Sequence, residues 1–572
     1  MSTMVVEHRE WWVTARCRAA GLTVAVLGAC GGGSGSIDSD GGEGSTSSAE
    51  TSSDGSAVAG GSAGGESSSE TTSVAEGSTS EPPGPSSSSS TGGGGAGYPE
   101  PGDWAPQSGP GGPAVVFDPG DLYQNCGFLD GGPTDADHHN LVVMFDGYLM
   151  MPWAPEWGGG GITFFDISDP CNPSTVGSTT SGDMRETHAV GFSLVGGRWY
   201  VATAHVEEGL LNTGGGVMFW DVTNPAQPLP LSTLELPGHL YPDAYARVIQ
   251  SSFWQGDYLY VGGSDNGLYI VDASDPINPS LVAQEAFEPT MRVGQVQVVG
   301  NLLVATAAEG PRTVLLDVSI PSEPQPIAGG DFVLEDSDGI AREAYFANVS
   351  DGKVWYAVKS GGGGLLAYDV RNPSDPTYAG HFNSGGNGGY IFIKDDFAVV
   401  GESNFAGIYD ISDLDNIESI SQLALEGDLD TATPIGNVIV LSVDDEGNPG
   451  EASALAPYLA QPDADPPYVN GSVPVDGAEG LAPTSRIGVT FNEMVAPKSA
   501  WEGSVRLYET ENPDVHITGK INVQESVVNF SPQGVLTPGT QYTFEIPAGG
   551  VVDYNGNAVA ESFSMSFTVA GG

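Results

Sequence analysis

The sequence predicts an all-β chain: a seven-bladed β-propeller followed by a β-sandwich, with a signal peptide and a disordered linker ahead of them. Three observations carry this. A phrase first seen as "GITFFDISDPCNP" (161–173) recurs, with its acid at Asp166, Asp221, Asp272, Asp317, Asp369 and Asp410. The gaps are 55, 51, 45, 52 and 41 residues, the spacing of propeller blades built from short strands. Seven hairpin-like stretches interleave with the phrase, from "LVVMFDGYLMMPW" to "TATPIGNVIVLSV".

The first 29 residues read as an export signal. Arg9, Arg16 and Arg18 form a basic region, and "AAGLTVAVLGA" (19–29) is an apolar run too short to span a bilayer. Leu27, Gly28 and Ala29 before Cys30 resemble the lipobox of bacterial lipoproteins. That resemblance implies cleavage before Cys30, which becomes the acylated first residue. Gly31 follows, with no Asp at the second position. In a cell with two membranes the family rule then favours the outer one.

Residues 30–112 are Gly, Ser, Thr, Glu and Pro with almost no large apolar side chains. Such a segment buries too little surface to offset the entropy of ordering. As a flexible tether, roughly 80 residues span about 50 Å r.m.s.. The string "GGSAG" (60–64) matches a nucleophile-elbow pattern, but that motif requires a strand before it and a helix after it.

Residues 113–462 make the propeller. Each blade is expected to be a hairpin, then the repeated strand, then an outer strand such as "STVGSTT" or "SLVAQEA". The repeated strand is β-branched and aromatic, suited to burial between blades. Its Asp and the following Ser/Thr-Asp/Asn pair can bond their own backbone to close a turn, and Pro stops the strand. The phrase is therefore read as scaffold. Copies such as "LYIVDASDPINP" resemble the LVIVD-repeat family of bacterial exported β-propellers over roughly residues 135–460. The resemblance implies a propeller placed outside the cytoplasm and no single catalytic activity. Six full phrases serve seven hairpins. "PAVVFDPGD" (113–121) is expected to supply the missing strand from the N-terminal side; the alternative is that "ASALAPYLA" (452–460) finishes the last blade.

Residues 463–572 follow a Pro-rich boundary, "DADPPYV", with short strands and turn signals that fit a β-sandwich. "PVDGAEG", "FNEMV", "VVNFSP", "LTPGTQYTF" and "VVDYNGNAV" resemble, in order, the bacterial Ig-like domain of SbsA type. In that family such domains are spacers or adhesive modules, and no catalytic residues come with them.

Of four cysteines, Cys17 leaves with the signal and Cys30 takes lipid. Cys126 and Cys171 remain, and in an exported chain they most simply form one disulfide; two buried thiols are the alternative. Placed after the closing strand and in a turn of the first blade, the bridge would pin the ring.

The chain has 73 Asp+Glu against 17 Lys+Arg. So large an excess argues against nucleic acid as a partner. Against that background, His139, His188, Arg247, Arg292 and Arg342 stand at equivalent positions before the first strand of successive blades. They are expected to ring one channel mouth, either as an anion-recognition site or paired with acidic neighbours that hold blades together. Asp137, His138, His139, Glu186 and His188 also offer ligand types for a divalent metal. No cofactor is required by this reading; Ca²⁺ or another divalent ion is an option at these residues or in acidic turns.

No zinc-protease, P-loop or dinucleotide motif is present, and no enzyme is expected. Three functions remain open. One is a binding or scaffold module, lipid-anchored at the cell envelope, that recognises an envelope or extracellular protein or an anionic glycan. The others are an envelope hydrolase or lyase working at the channel mouth, and a purely structural envelope protein.

Overall fold

The computed structural model describes residues 115–134, 137–155, 159–206, 214–239, 251–359, 361–444 and 447–572. The signal, the whole tether with Cys30, and Arg247 lie outside them. The described residues form nine four-stranded sheets. Seven are blades and two make the C-terminal sandwich. Among the described residues no helix is long and apolar enough to cross a membrane.

The third blade shows how sequence becomes strand order. Ser251–Gln255, Tyr258–Gly262, Leu268–Asp272 and Ser280–Glu285 pair in that order, all antiparallel. The third strand, Leu-Tyr-Ile-Val, is fully buried, as a strand covered on both faces must be. The outer strand alternates between exposed and half-buried, because only one of its faces meets the neighbouring blade. A bulge interrupts the pairing of third and fourth strands in six blades, which sharpens the local twist.

The repeated acid closes a turn in every copy. The Oδ1 atoms of Asp166, Asp221, Asp272, Asp317, Asp369 and Asp410 each accept from the backbone N–H two residues on, at 2.7–3.0 Å. The hairpin tips between the first two strands take left-handed backbone, as at Gly196 and Gly197 (φ 57° and 78°). Glycine tolerates that conformation, and it matches the twist of the flanking strands.

Ring closure differs from the expectation. The last blade uses Thr431–Ile435, Val438–Ser442 and Ser453–Pro457 from the C-terminal side, and Gly127–Leu129 from the N-terminal side. Residues 453–457 therefore do enter the blade, and the N-terminal strand lies later than 113–121. The earlier segment only runs alongside: Phe117 N–H donates to Ala460 O, and Asn437 Nδ2 donates to Val115 O. Cys126 and Cys171 form the disulfide, joining the N-terminal strand of the last blade to the turn of the first.

The C-terminal sandwich pairs Val469–Val473, Ile487–Phe491, Val527–Pro532 and Gly519–Gln524 in one sheet. Ala478–Leu481, Phe563–Val569, Gln541–Ile546 and Arg506–Glu509 make the other. Phe491, Phe530, Phe544 and Phe567 fill its core.

This domain is not a free spacer; it docks on the propeller's hairpin tips. Asn522 Oδ1 accepts from Gly256 N–H at 2.7 Å, Asn529 Oδ1 from Gly300 N–H at 2.8 Å, and Asn470 Oδ1 from Asp351 N–H at 3.1 Å. Asp395 N–H donates to Asn492 O at 2.8 Å, and Lys498 pairs with Asp146 at 2.7 Å. Asparagine suits the task because its amide offers both a donor and an acceptor to exposed backbone groups. At the centre, buried Glu525 accepts from Asn348 Nδ2 at 3.0 Å and Gln297 Nε2 at 3.1 Å. These two donors sit on the first strands of the fifth and fourth blades.

Candidate functional site: the open channel mouth

The Ig-like domain covers the hairpin tips, so the starts of the first strands lie at the opposite end, which no described domain covers. A chain of stacked rings lies just inside. Phe346 stacks on Tyr390 with centroids 4.0 Å apart, and His188 stacks on Phe346 at 5.4 Å. Tyr390 Oη donates to His188 O at 2.8 Å, tying the sixth blade to the second. These rings form the floor of the basin between the strand starts.

Glu186 is the hub of that basin. Its Oε1 receives Asn140 Nδ2 at 2.6 Å and lies 2.8 Å from His188 Nε2 and 3.5 Å from His138 Nδ1. His138 Nδ1 is also 3.1 Å from Asp444 Oδ1. Burial works to raise the Glu186 carboxyl, but His188 and His138 hold it well below the ordinary carboxylate range. Burial works against a charged His138, yet Glu186 and Asp444 push its pKa up to about 11. Asp430, near Asp444, behaves oppositely. Burial pushes its carboxyl well up, Lys359 opposes this, and Asp428 and Asp444 reinforce it.

The five basic positions expected at the mouth separate on inspection. His188 is in the basin. His139 is fully buried beside it, accepting from Gly131 N–H at 3.2 Å and facing Asp130 at 3.5 Å. Arg342 grips Asp336 through Nε at 2.8 Å and Nη2 at 2.6 Å. Arg292 is held loosely, 3.3 Å from Asp265 and 3.8 Å from Glu309, with 32% of its side chain exposed. Arg247 lies outside the described residues. The basic side chains of the rim are thus in ion pairs of unequal strength. Of the expected metal ligands, His138 and Glu186 converge, whereas Asp137 closes its own turn by accepting from Thr134 N–H at 2.9 Å.

Sequence reasoning missed Asp430, Tyr390 and Arg185, and it met Asp444 only as the first acid of the turn "DDEGNPGE" (444–451), a Ca²⁺ option, not as a partner of His138. Arg185 is buried with Nη2 3.5 Å from Glu186, and its Nε and Nη1 have no hydrogen-bond partner among the described residues. Its position beside Glu186 was a signal available in the sequence. Nothing in the sequence joined Asp444 to His138, since Asp444 follows the second strand of the last blade and meets His138 only when the ring closes.

Comparison with known proteins agrees with this architecture. The LVIVD repeat family matches residues 253–284, which is the third blade, and the family described as bacterial Ig-like domain matches residues 463–569. An LVIVD repeat thus lies in the third blade, and a bacterial Ig-like domain occupies residues 463–569. No curated protein matches it. Among solved structures, the computationally designed Ika8 protein is 13% identical, with a TM-score of 0.40 over 58% of this chain and 99% of that one. A periplasmic gluconolactonase from Pseudomonas aeruginosa is 10% identical, with a TM-score of 0.40 over 61% of this chain and 98% of that one. A protein from Lactobacillus plantarum is 11% identical, with a TM-score of 0.38 over 52% of this chain and 94% of that one. At this level of similarity no activity passes from those proteins to this chain.

Proposed function

We propose that the protein is a lipid-anchored module of the bacterial cell envelope that binds an extracellular or envelope protein, or an anionic glycan, through the open mouth of its propeller. The observation that carries this reading is the docking of the Ig-like domain. With Asn470, Asn522 and Asn529 on the hairpin tips and Glu525 at the channel base, the opposite face is the one that no described domain covers. The lipobox-like Leu27–Cys30 and the tether composition supply the anchor. The disulfide fits an oxidising compartment. Arg292 is the rim cation that a carboxylate or sulfate would meet, because it is partly exposed and its pairs are looser than those of Arg342.

Two measurements test the reading. Cys30→Ser should abolish labelling by a fatty-acid precursor and release the protein from the membrane fraction; unchanged membrane retention would remove the anchor. Full-length protein should bind defined carboxylated or sulfated polysaccharides or peptidoglycan fragments, with affinity lowered about tenfold by Arg292→Ala and little by Arg342→Ala. Equal binding by wild type and Arg292→Ala would end the mouth as an anion site. Accumulation of new reducing ends or unsaturated products would replace binding with the hydrolase or lyase reading.

A further inference from the structure

We propose that His138, Glu186 and Asp444 form a binding site for one first-row divalent cation, of the Zn²⁺ class, at the rim of the open mouth. The site stands whether or not that face recognises a partner. Its three ligand atoms come from the approach to the first blade, the approach to the second, and the segment after the second strand of the last. All three lie within 4.8 Å of one another.

The spacing suits a metal. Zinc bonds of about 2.0–2.1 Å in a tetrahedron place neighbouring ligand atoms about 3.3–3.4 Å apart. His138 Nδ1 is 3.1 Å from Asp444 Oδ1 and 3.5 Å from Glu186 Oε1. One imidazole and two carboxylates is a donor set for a borderline ion rather than for Ca²⁺, which takes six to eight oxygens.

The surroundings support it. Asn140 Nδ2 and His188 Nε2 both address Glu186 Oε1, at 2.6 and 2.8 Å, fixing the carboxylate as outer-shell partners do. Asp428, in a second trio with Asp430 and Asp444, adds negative potential. Asp444 retains 21% of its side-chain exposure, so the site lies near the surface.

A second acidic trio provides the contrast. Asp463, Glu493 and Asp553 also converge, but there Lys394 Nζ occupies the cation position, 2.7 Å from Asp463 and 2.6 Å from Glu493. Among the described residues Asp444 pairs only with His138.

The test is calorimetric titration of chelator-stripped, full-length protein with Zn²⁺, alongside visible absorption with Co²⁺. The expected result is one saturable site with a tetrahedral Co²⁺ spectrum. Affinity should fall at least tenfold in His138→Ala and in Asp444→Asn. Wild type showing only weak, unsaturable uptake would overturn the proposal, and so would unchanged affinity in Asp444→Asn. Unfolding curves identify a variant that has merely misfolded. If His138→Ala does so, the partly exposed Asp444→Asn decides.

Discussion

Asn529 clasps Gly300 at the tip of a propeller hairpin. Its Oδ1 accepts from Gly300 N–H at 2.8 Å, and its Nδ2 donates to Val298 O at 2.8 Å. One amide thus satisfies two backbone groups that the hairpin leaves open, and both lie buried in the joint between the domains. Asn529→Ala would leave them without partners, at about 1–3 kcal/mol each. Calorimetry should show the single unfolding event split, with the Ig-like domain releasing first. An unchanged profile would mean the clasp adds nothing to docking.

The base of the channel makes docking sensitive to pH. Burial pushes the Glu525 carboxyl up to about 7, against the lowering effect of Asn348 and Gln297. A raised folded-state pKa means this group's contribution is fully present below pH 4.5 and is lost as pH rises to about 7. The whole span is worth about 3 kcal/mol. Glu525→Gln keeps the shape and removes the titration. The variant should match wild type near pH 4.5 and be more stable at pH 8, by melting temperature. Parallel curves across that window would refute the assignment.

Lys394 holds the other side of the joint between Glu493 and Asp463. All three side chains are buried, so removing the cation strands two carboxylates out of water. Lys394→Met should cost about 3–5 kcal/mol in denaturant unfolding. Adding Glu493→Met should recover part of that. A double variant no better than the single would argue that Lys394 matters by packing alone.

The disulfide closes a loop of 45 residues across the ring seam. Chain entropy assigns it about 4 kcal/mol. Cys126→Ser with Cys171→Ser should lose stability of that order. Hydrogen exchange should rise first along 453–457, where Gly127–Leu129 pairs. Uniform loss across all blades would place the weak point elsewhere.

The repeated turn was fully legible, because Asp166 and its counterparts bond N–H groups only two residues away. The lock at Cys171 was legible as the odd residue in a repeat. The closing strand was not: Phe117 and Phe128 both sit in plausible strand sequences, and pairing with Ser453–Pro457 selects the second. His138, Glu186 and His188 of the mouth cluster could be named in advance by their ligand types. That Asp444 joins them could not, since its partner His138 lies at the far end of the propeller sequence.

The Ig-like domain draws the same line. The stretch "NVQESVVN" (522–529) reads as a strand pair with polar residues to one side, and local alternation determines that much. Whether those polar residues face water or another domain depends on burial, which is a property of surfaces brought together and not of neighbouring residues. Sequence alone determined the blades, their turns and the sandwich, because each rests on short-range backbone bonding and apolar patterning. Tertiary structure decided which propeller face is covered, which strand shuts the ring and which acids meet His138, because each needs groups far apart in the chain to be desolvated together.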